Sequence, residues 1–217
     1  MIFKITILAV FTLGLLSCKN KNTNFDKPRF ERLLQDTTNN RRAKQDLHYV
    51  EHYNSICKLI GINKLSDGVD SFEVRVWRQF SVFGQEDDEE IYSLKIVDST
   101  VYLTFYRVYW IPENHVDSFF AVSKSFPIKI VDSMNLQNLW NLKTLSALNI
   151  PDSIGFLDGT TTSIELASKS KYKLIRYHVA EGYYEATKIN DIKDYMDDRN
   201  KLIDLFQSNK IYNQEYY

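Results

Sequence analysis

Three consecutive segments in the middle of the chain alternate between apolar and polar residues, and this pattern is the strongest constraint on the fold. The alternation runs over residues 72–82, returns over 92–96 and returns again over 101–105. A period of two residues is typical of strands with one buried face. The connections between the segments are short, so they predict an antiparallel meander.

Further strands and helices follow from the same reading. A strand is predicted over 126–131, and a hairpin joins strands at 162–166 and 175–179 through a turn at 168–171, so that the inward side chains of both strands share a face. Apolar residues at intervals of three and four predict four helices. Their markers are Asp26 with Phe30, Leu33 and Leu34; Tyr49, Val50, Tyr53, Ile56, Cys57 and Ile60, ending at Gly61; Leu136, Leu139 and Trp140; and Asn190 and Asp191 with Ile192, Tyr195, Met196, Ile203 and Phe206.

Together these elements predict an α+β fold, in which helices pack on a mainly antiparallel sheet of five or six strands. Residues 28–217 would form a single domain. Apolar residues make up 44% of the chain and charged residues 25%, so a packed core is expected. The formal net charge is −1 and basic residues are interleaved with acidic ones, which argues against a nucleic-acid partner.

The first residues form a targeting segment. One basic residue, Lys4, precedes an apolar run over 5–16, which is too short to span a bilayer and is typical of a signal peptide. The run ends in Leu15-Leu16-Ser17-Cys18. This ending resembles the lipobox of bacterial lipoproteins, with a leucine three positions before the cysteine and a small residue next to it.

The resemblance implies cleavage after residue 17 and acylation of Cys18, which would anchor the chain to a bacterial envelope membrane. Several acyl chains give stable anchoring to a bilayer. Residues 18–27 are polar and would form a tether between lipid and fold. Lys19 stands where inner-membrane lipoproteins often carry aspartate, so the resemblance favours the outer membrane. With Cys18 lipidated, Cys57 has no partner and is expected to be a small buried side chain.

The segment His48-Tyr49-Val50-Glu51-His52 matches the H-x-x-E-H pattern of a family of zinc peptidases. On the predicted helix, however, His48, Glu51 and His52 lie away from the apolar stripe and would face solvent. In the last hairpin, Glu165 and His178 share the outer face with serine, threonine and arginine. The interpretation favoured there is a solvated sheet face, since such polar alternation is common.

The strongest candidate for a functional surface is aromatic. If helices cover only one sheet face, the other would expose a surface formed by Arg75, Trp77, Tyr102, Tyr106 and Trp110. Exposed aromatic clusters mark partner or ligand surfaces. The alternative, that helices or the segment 111–125 cover this face too, stays open.

These observations favour a non-enzymatic lipoprotein that presents a surface to another envelope protein or to a small ligand, with no cofactor. A second hypothesis is a hydrolase or zinc-dependent enzyme that uses His48, Glu51 and His52, or Glu165 and His178. A third is an inhibitor or immunity-type protein.

Overall fold

The computed structural model describes residues 31–35, 40–81, 88–111 and 115–211. Within them, seven strands form one sheet: β1 (Glu31–Leu33), β2 (Phe72–Ser81), β3 (Glu89–Val97), β4 (Thr100–Ile111), β5 (His115–Pro127), β6 (Gly159–Ala167) and β7 (Lys171–His178). Three α-helices accompany it: α1 (Arg41–Leu59), α2 (Ala180–Thr187) and α3 (Asn190–Ser208). Short 3₁₀ turns occupy Leu65–Asp67, Ile128–Val131, Asn138–Asn141 and Leu145–Ala147.

The strand order is β1-β7-β6-β2-β3-β4-β5. All neighbours are antiparallel except β1, which pairs in parallel with β7. The α+β class and the mainly antiparallel sheet are therefore confirmed. The turn of the last hairpin is confirmed as well, because Ser168 N donates to Lys171 O and Ala167 pairs with Tyr172.

The predicted strand count of five or six is wrong, because the sheet has seven strands. β1 lies where part of a short helix was predicted, and β5 occupies a segment that was assigned mostly to a loop. Both are edge strands, and most described side chains of β5 are exposed, although Phe120, Val122 and Phe126 of β5 pack against the core at intervals of two and four residues. The predicted helix near Leu139 is also wrong, since only a 3₁₀ turn forms there.

Two apolar clusters lie on opposite faces of the sheet. On one face, α2, α3 and the turns between β5 and β6 cover side chains such as Val76, Leu94 and Ile164. On the other face, α1 covers Trp77, Ile91 and Leu174. Burying each large apolar side chain contributes about 1.5–3 kcal/mol to the stability of the fold. Packing against the sheet therefore stabilises the layers on both of its faces.

Local chemistry explains the limits of α1. The Asn40 side chain accepts a hydrogen bond from Ala43 N at 3.1 Å and caps the first turn. At the other end, Gly61 has a φ of +75°, a left-handed conformation that suits glycine and ends the helix as predicted. The buried side chains of α1 include Val50, Tyr53 and Ile56, so its apolar stripe faces the sheet.

Candidate functional site

The structure buries two residues of the predicted aromatic surface. Trp77 is 1% exposed and Arg75 is 2% exposed, because α1 covers this face of the sheet. The Trp77 ring stacks on Tyr53, with 4.1 Å between ring centroids and 12° between ring planes. The prediction of an exposed surface is therefore wrong for Trp77 and Arg75, which belong to the interior.

The other three members of that surface lie farther along the sheet. Tyr102 is 42% exposed, whereas Tyr106 and Trp110 are half-buried. Trp110 stacks on His52 of α1, with 5.9 Å between ring centroids and 17° between planes. The five residues thus do not form one exposed patch, since α1 lies over part of it.

A buried polar network explains how Arg75 is accommodated under α1. Arg75 Nε donates to Glu73 Oε1 at 2.8 Å, and Arg75 Nη1 donates to the Cys57 sulfur at 3.0 Å. Burial raises the pKa of Cys57 to about 12, although the Arg75 charge opposes this rise. Cys57 is therefore a buried thiol, as predicted, and is protonated near neutral pH.

The outer face of the last hairpin is also covered, so the predicted solvated face is wrong at Glu165. Its two carboxylate oxygens accept hydrogen bonds from Tyr172 OH at 3.0 Å and Trp77 Nε1 at 2.9 Å. Burial raises its pKa. His178 instead bonds Thr161 Oγ1 through Nδ1 at 3.0 Å. Glu165 and His178 therefore have separate partners and do not form a catalytic pair.

The H-x-x-E-H residues are divided between two environments. His48 and Glu51 are exposed, as predicted. His52 is not directed at solvent, because its Nε2 donates to buried Glu89 Oε1 at 2.5 Å. Across the described parts of the chain, no three His, Cys, Asp or Glu side chains come close enough together to hold a metal ion.

A groove of about 1020 Å³, which no sequence pattern predicted, lies beside the N-terminal half of α1. Its walls are α1, the segment 152–157 and the paired ends of β6 and β7, where Thr161 faces His178. We call it the Arg176 groove, after the buried arginine that lines it. The basic residues in its lining are Arg41, Arg42, Arg176, His48 and His178, and the acidic residue is Asp152.

Arg176 is held firmly in the wall. Its Nε donates to buried Asp46 Oδ1 at 2.8 Å, and its Nη2 donates to Gln45 Oε1 at 3.4 Å. The Tyr49 ring lies 4.5 Å from the guanidinium carbon. Ser146 Oγ donates to the other Asp46 oxygen, Oδ2, at 2.5 Å. The guanidinium is therefore fixed from several sides before any ligand arrives.

Two other basic residues contact the segment 152–157, which forms the opposite wall of the groove. Arg42 Nη1 donates to Ile150 O at 3.0 Å, and its Nη2 donates to Ile154 O at 3.4 Å. His178 lies near the backbone of Phe156 and Leu157, which acts to raise its pKa, but burial and then the nearby Arg176 charge outweigh this effect and lower the pKa. The segment 152–157 is thus tied to α1 and β7, although it has no regular secondary structure.

The end of the groove beside His178 has a strained backbone. Val179 has a φ of +52°, a left-handed conformation that is unfavourable for a β-branched residue. A Cβ added to Gly159, which has a φ of +133°, would lie 2.5 Å from Val179 Cγ2, so this turn requires glycine there. Such strain persists only where the surrounding structure imposes it, and it is concentrated at functional sites.

One local signal in the sequence could have indicated the groove. Arg41 and Arg42 occupy the first turn of α1, which carries no acidic residue. The positive end of the helix dipole favours acidic side chains there, so two arginines are electrostatically unfavourable. The backbone partners of Arg42 are more than 100 residues away in sequence, so local patterns in the sequence do not reveal them.

No protein-family model matches the chain, and no curated protein or solved structure matches it significantly. Among the residues that the structure describes, no helix combines the length and the apolar character needed to cross a membrane. Cys18, the signal segment 1–17 and the tether 18–27 lie outside the described residues.

Proposed function

We propose that this chain is a lipid-anchored bacterial envelope lipoprotein whose folded part binds a small ligand in the Arg176 groove without transforming it. The observation that carries the binding function is a preformed groove in which Arg176 is fixed before any ligand binds. The bilayer would be a partner through acylated Cys18, with the outer membrane favoured over the inner.

The anchoring part of the proposal is supported by the order of features at the start of the chain. A basic residue, a short apolar run, a small residue and Cys18 follow one another as in lipoprotein precursors. Anchoring would hold the folded part near the membrane, while the polar tether lets it reach ligands in the surrounding compartment.

The binding part is supported by the size and chemistry of the groove. Sites for small molecules are concave, are largely preformed and combine apolar walls with a few placed polar groups. Here Phe156, Leu145 and Tyr183 provide apolar surface, whereas Arg176 and Thr161 provide polar groups. Binding of a small ligand in the groove is favoured over binding of an envelope protein to the predicted aromatic surface, because Trp77 and Arg75 of that surface are buried.

The hydrolase alternative receives little support from the same residues. The His52 nitrogen that a metal would need is bonded to Glu89, and Glu165 is bonded to Trp77 and Tyr172. No contact among the described residues favours an inhibitor or immunity-type role. The proposal is therefore a binding lipoprotein.

Anchoring is tested by metabolic labelling with an alkyne fatty acid in a bacterial host. We expect the full chain to incorporate label and to sediment with membranes, and Cys18→Ala to lose both properties. Cys57→Ala is the matched control and should keep both. Label or membrane association that survives in Cys18→Ala would contradict the anchor.

Groove binding is tested by ligand-observed NMR with a library of small metabolites. Gly155 lines the groove, and a Cβ added there meets no atom within 4 Å, so Gly155→Trp should fill the groove without disturbing its walls. Lys129→Trp, at an exposed site outside the groove, is the control. We expect hits that Gly155→Trp abolishes and Lys129→Trp retains. Hits that bind equally to both variants would contradict the groove as the site.

A further inference from the structure

We infer that the ligand of the Arg176 groove carries a carboxylate or phosphate group, which is bound by Nη1 of Arg176 and by Arg41. This inference rests on the proposed binding function and specifies its ligand. Carboxylates and phosphates share the chemistry that matters here, because both present several negatively charged oxygens to a guanidinium.

Arg176 is a buried arginine that uses only some of its hydrogen-bond donors within the described part of the chain. Arg176 is 4% exposed, and its Nε and Nη2 bond Asp46 and Gln45. Its Nη1 bonds no described residue, although the side chain lines the groove. Nη1 is not among the described side-chain atoms that are both shielded from solvent and unpartnered, so it is accessible from the groove and offers a fixed donor to a ligand oxygen.

Positive charge exceeds negative charge around the groove. Asp46 already balances one positive charge, that of Arg176. Arg41 is exposed beside the groove and forms no ion pair with any described residue, and Asp152, the acid in the lining, is 3.9 Å from Arg42. The positive end of the α1 dipole adds to the Arg41 charge. An anion would therefore meet a net positive field.

One wall of the groove is largely apolar. Ile154, Phe156, Leu157 and Tyr183 contribute to its lining, and Leu157 is 94% exposed at the rim. A bare inorganic ion would leave this surface in water. We therefore infer an organic anion whose acidic group lies at Arg176 and whose apolar or ring-shaped part contacts this wall.

The experiment compares three ring-shaped probes by isothermal titration calorimetry with the full chain. Phenyl phosphate and phenylacetate carry an anion, whereas benzyl alcohol is neutral. A hydrogen-bonded contact to a charged group discriminates by roughly tenfold or more. We expect at least one anionic probe to bind at least about tenfold more tightly than benzyl alcohol, with the tighter of the two distinguishing phosphate from carboxylate.

Two variants locate the anion. Arg176→Lys keeps a positive charge near Asp46 but loses the forked donors, and Arg41→Ala removes an exposed side chain without disturbing the fold. Both should weaken the anionic probe about tenfold and leave benzyl alcohol unchanged. Lys58→Ala, at an exposed position in the last turn of α1, is the matched control and should have no effect.

The inference and the proposed function fail in different ways. If no anionic probe binds more tightly than benzyl alcohol, or if Arg41→Ala binds the anionic probe as the unmodified chain does, the inferred ligand class is wrong. Neutral library compounds whose binding is abolished by Gly155→Trp would then still support the groove as a binding site. If no compound is sensitive to Gly155→Trp, the proposed function itself is wrong.

Discussion

At the scale of single residues, two histidines show how neighbours set the protonation of the same side chain. Burial acts to lower the pKa of His52, but the hydrogen bond and charge of Glu89 outweigh it and raise the pKa above 6.5. His178 is half-buried beside Arg176, and burial followed by that positive charge lowers its pKa below 6.5. The two side chains therefore make opposite contributions to the dependence of stability on pH.

The raised pKa of His52 contributes stability that is fully present below pH 6.5 and is lost as the pH rises through its folded-state pKa. The lowered pKa of His178 contributes destabilisation as the pH falls from 6.5 through its folded-state pKa, because the unfolded chain then binds the proton more readily. We expect ¹H–¹³C NMR titration of the histidine rings to place His52 above 6.5 and His178 below it. Glu89→Gln should lower the pKa of His52 and leave that of His178 unchanged. Titration of both on the same side of 6.5 would contradict this assignment.

At the scale of elements, α2 and the segment 152–157 depend on close packing at one glycine. A Cβ added to Gly182 in α2 would lie 2.7 Å from Phe156 Cζ and 2.8 Å from Phe156 Cε1. Alanine is favoured over glycine in a helix by about 1 kcal/mol, yet here it would displace a ring that lines the Arg176 groove. The absence of a side chain at Gly182 thus sets the position of the groove wall.

We expect Gly182→Ala to lower the free energy of unfolding by about 1–3 kcal/mol. The clash with Phe156 destabilises the fold by more than the higher helix propensity of alanine stabilises it. In a Phe156→Ala background the clash is gone, and the same substitution should stabilise by up to about 1 kcal/mol. Urea denaturation of the unmodified chain, the two single variants and the double variant measures this change in the sign of the stability effect. Stabilisation by Gly182→Ala in both backgrounds would show that Phe156 does not limit this position.

At the scale of the whole molecule, one sheet supports two apolar clusters that contain no common residue. Val76 and Trp77 are neighbours in β2, but Val76 packs with α3 and its surroundings while Trp77 packs under α1. The strands β3, β4, β6 and β7 also contribute to both clusters. Loss of either helical layer therefore exposes the strands that the other layer needs.

Because the strands are shared, we expect the two layers to unfold together in one cooperative transition. Far-UV circular dichroism and tryptophan fluorescence should give the same midpoint in urea. The Trp77→Phe/Trp110→Phe chain leaves Trp140 as a reporter of the opposite face, and its two midpoints should also coincide. A fluorescence midpoint that differs from the dichroism midpoint in either chain would show that the layers are independent.

Much of the fold follows from local periodicity in the sequence. The strands β2, β3 and β4, the register of the β6–β7 hairpin and the helices α1 and α3 are visible because each has a buried face that repeats at its own period. The prediction of Gly61 as the end of α1 is also confirmed, because its left-handed backbone conformation suits glycine. The acylation of Cys18 remains a prediction that depends on the sequence alone.

The rest was decided by contacts between distant segments. Glu73, Arg75 and Glu165 alternate with apolar residues as on a solvated sheet, but α1 covers them and their charges are satisfied by one another and by Cys57, Trp77 and Tyr172. The Arg176 groove likewise requires α1, residues 152–157 and β7 to meet. A local pattern records which side of an element is polar, whereas burial of that side depends on which distant element packs against it.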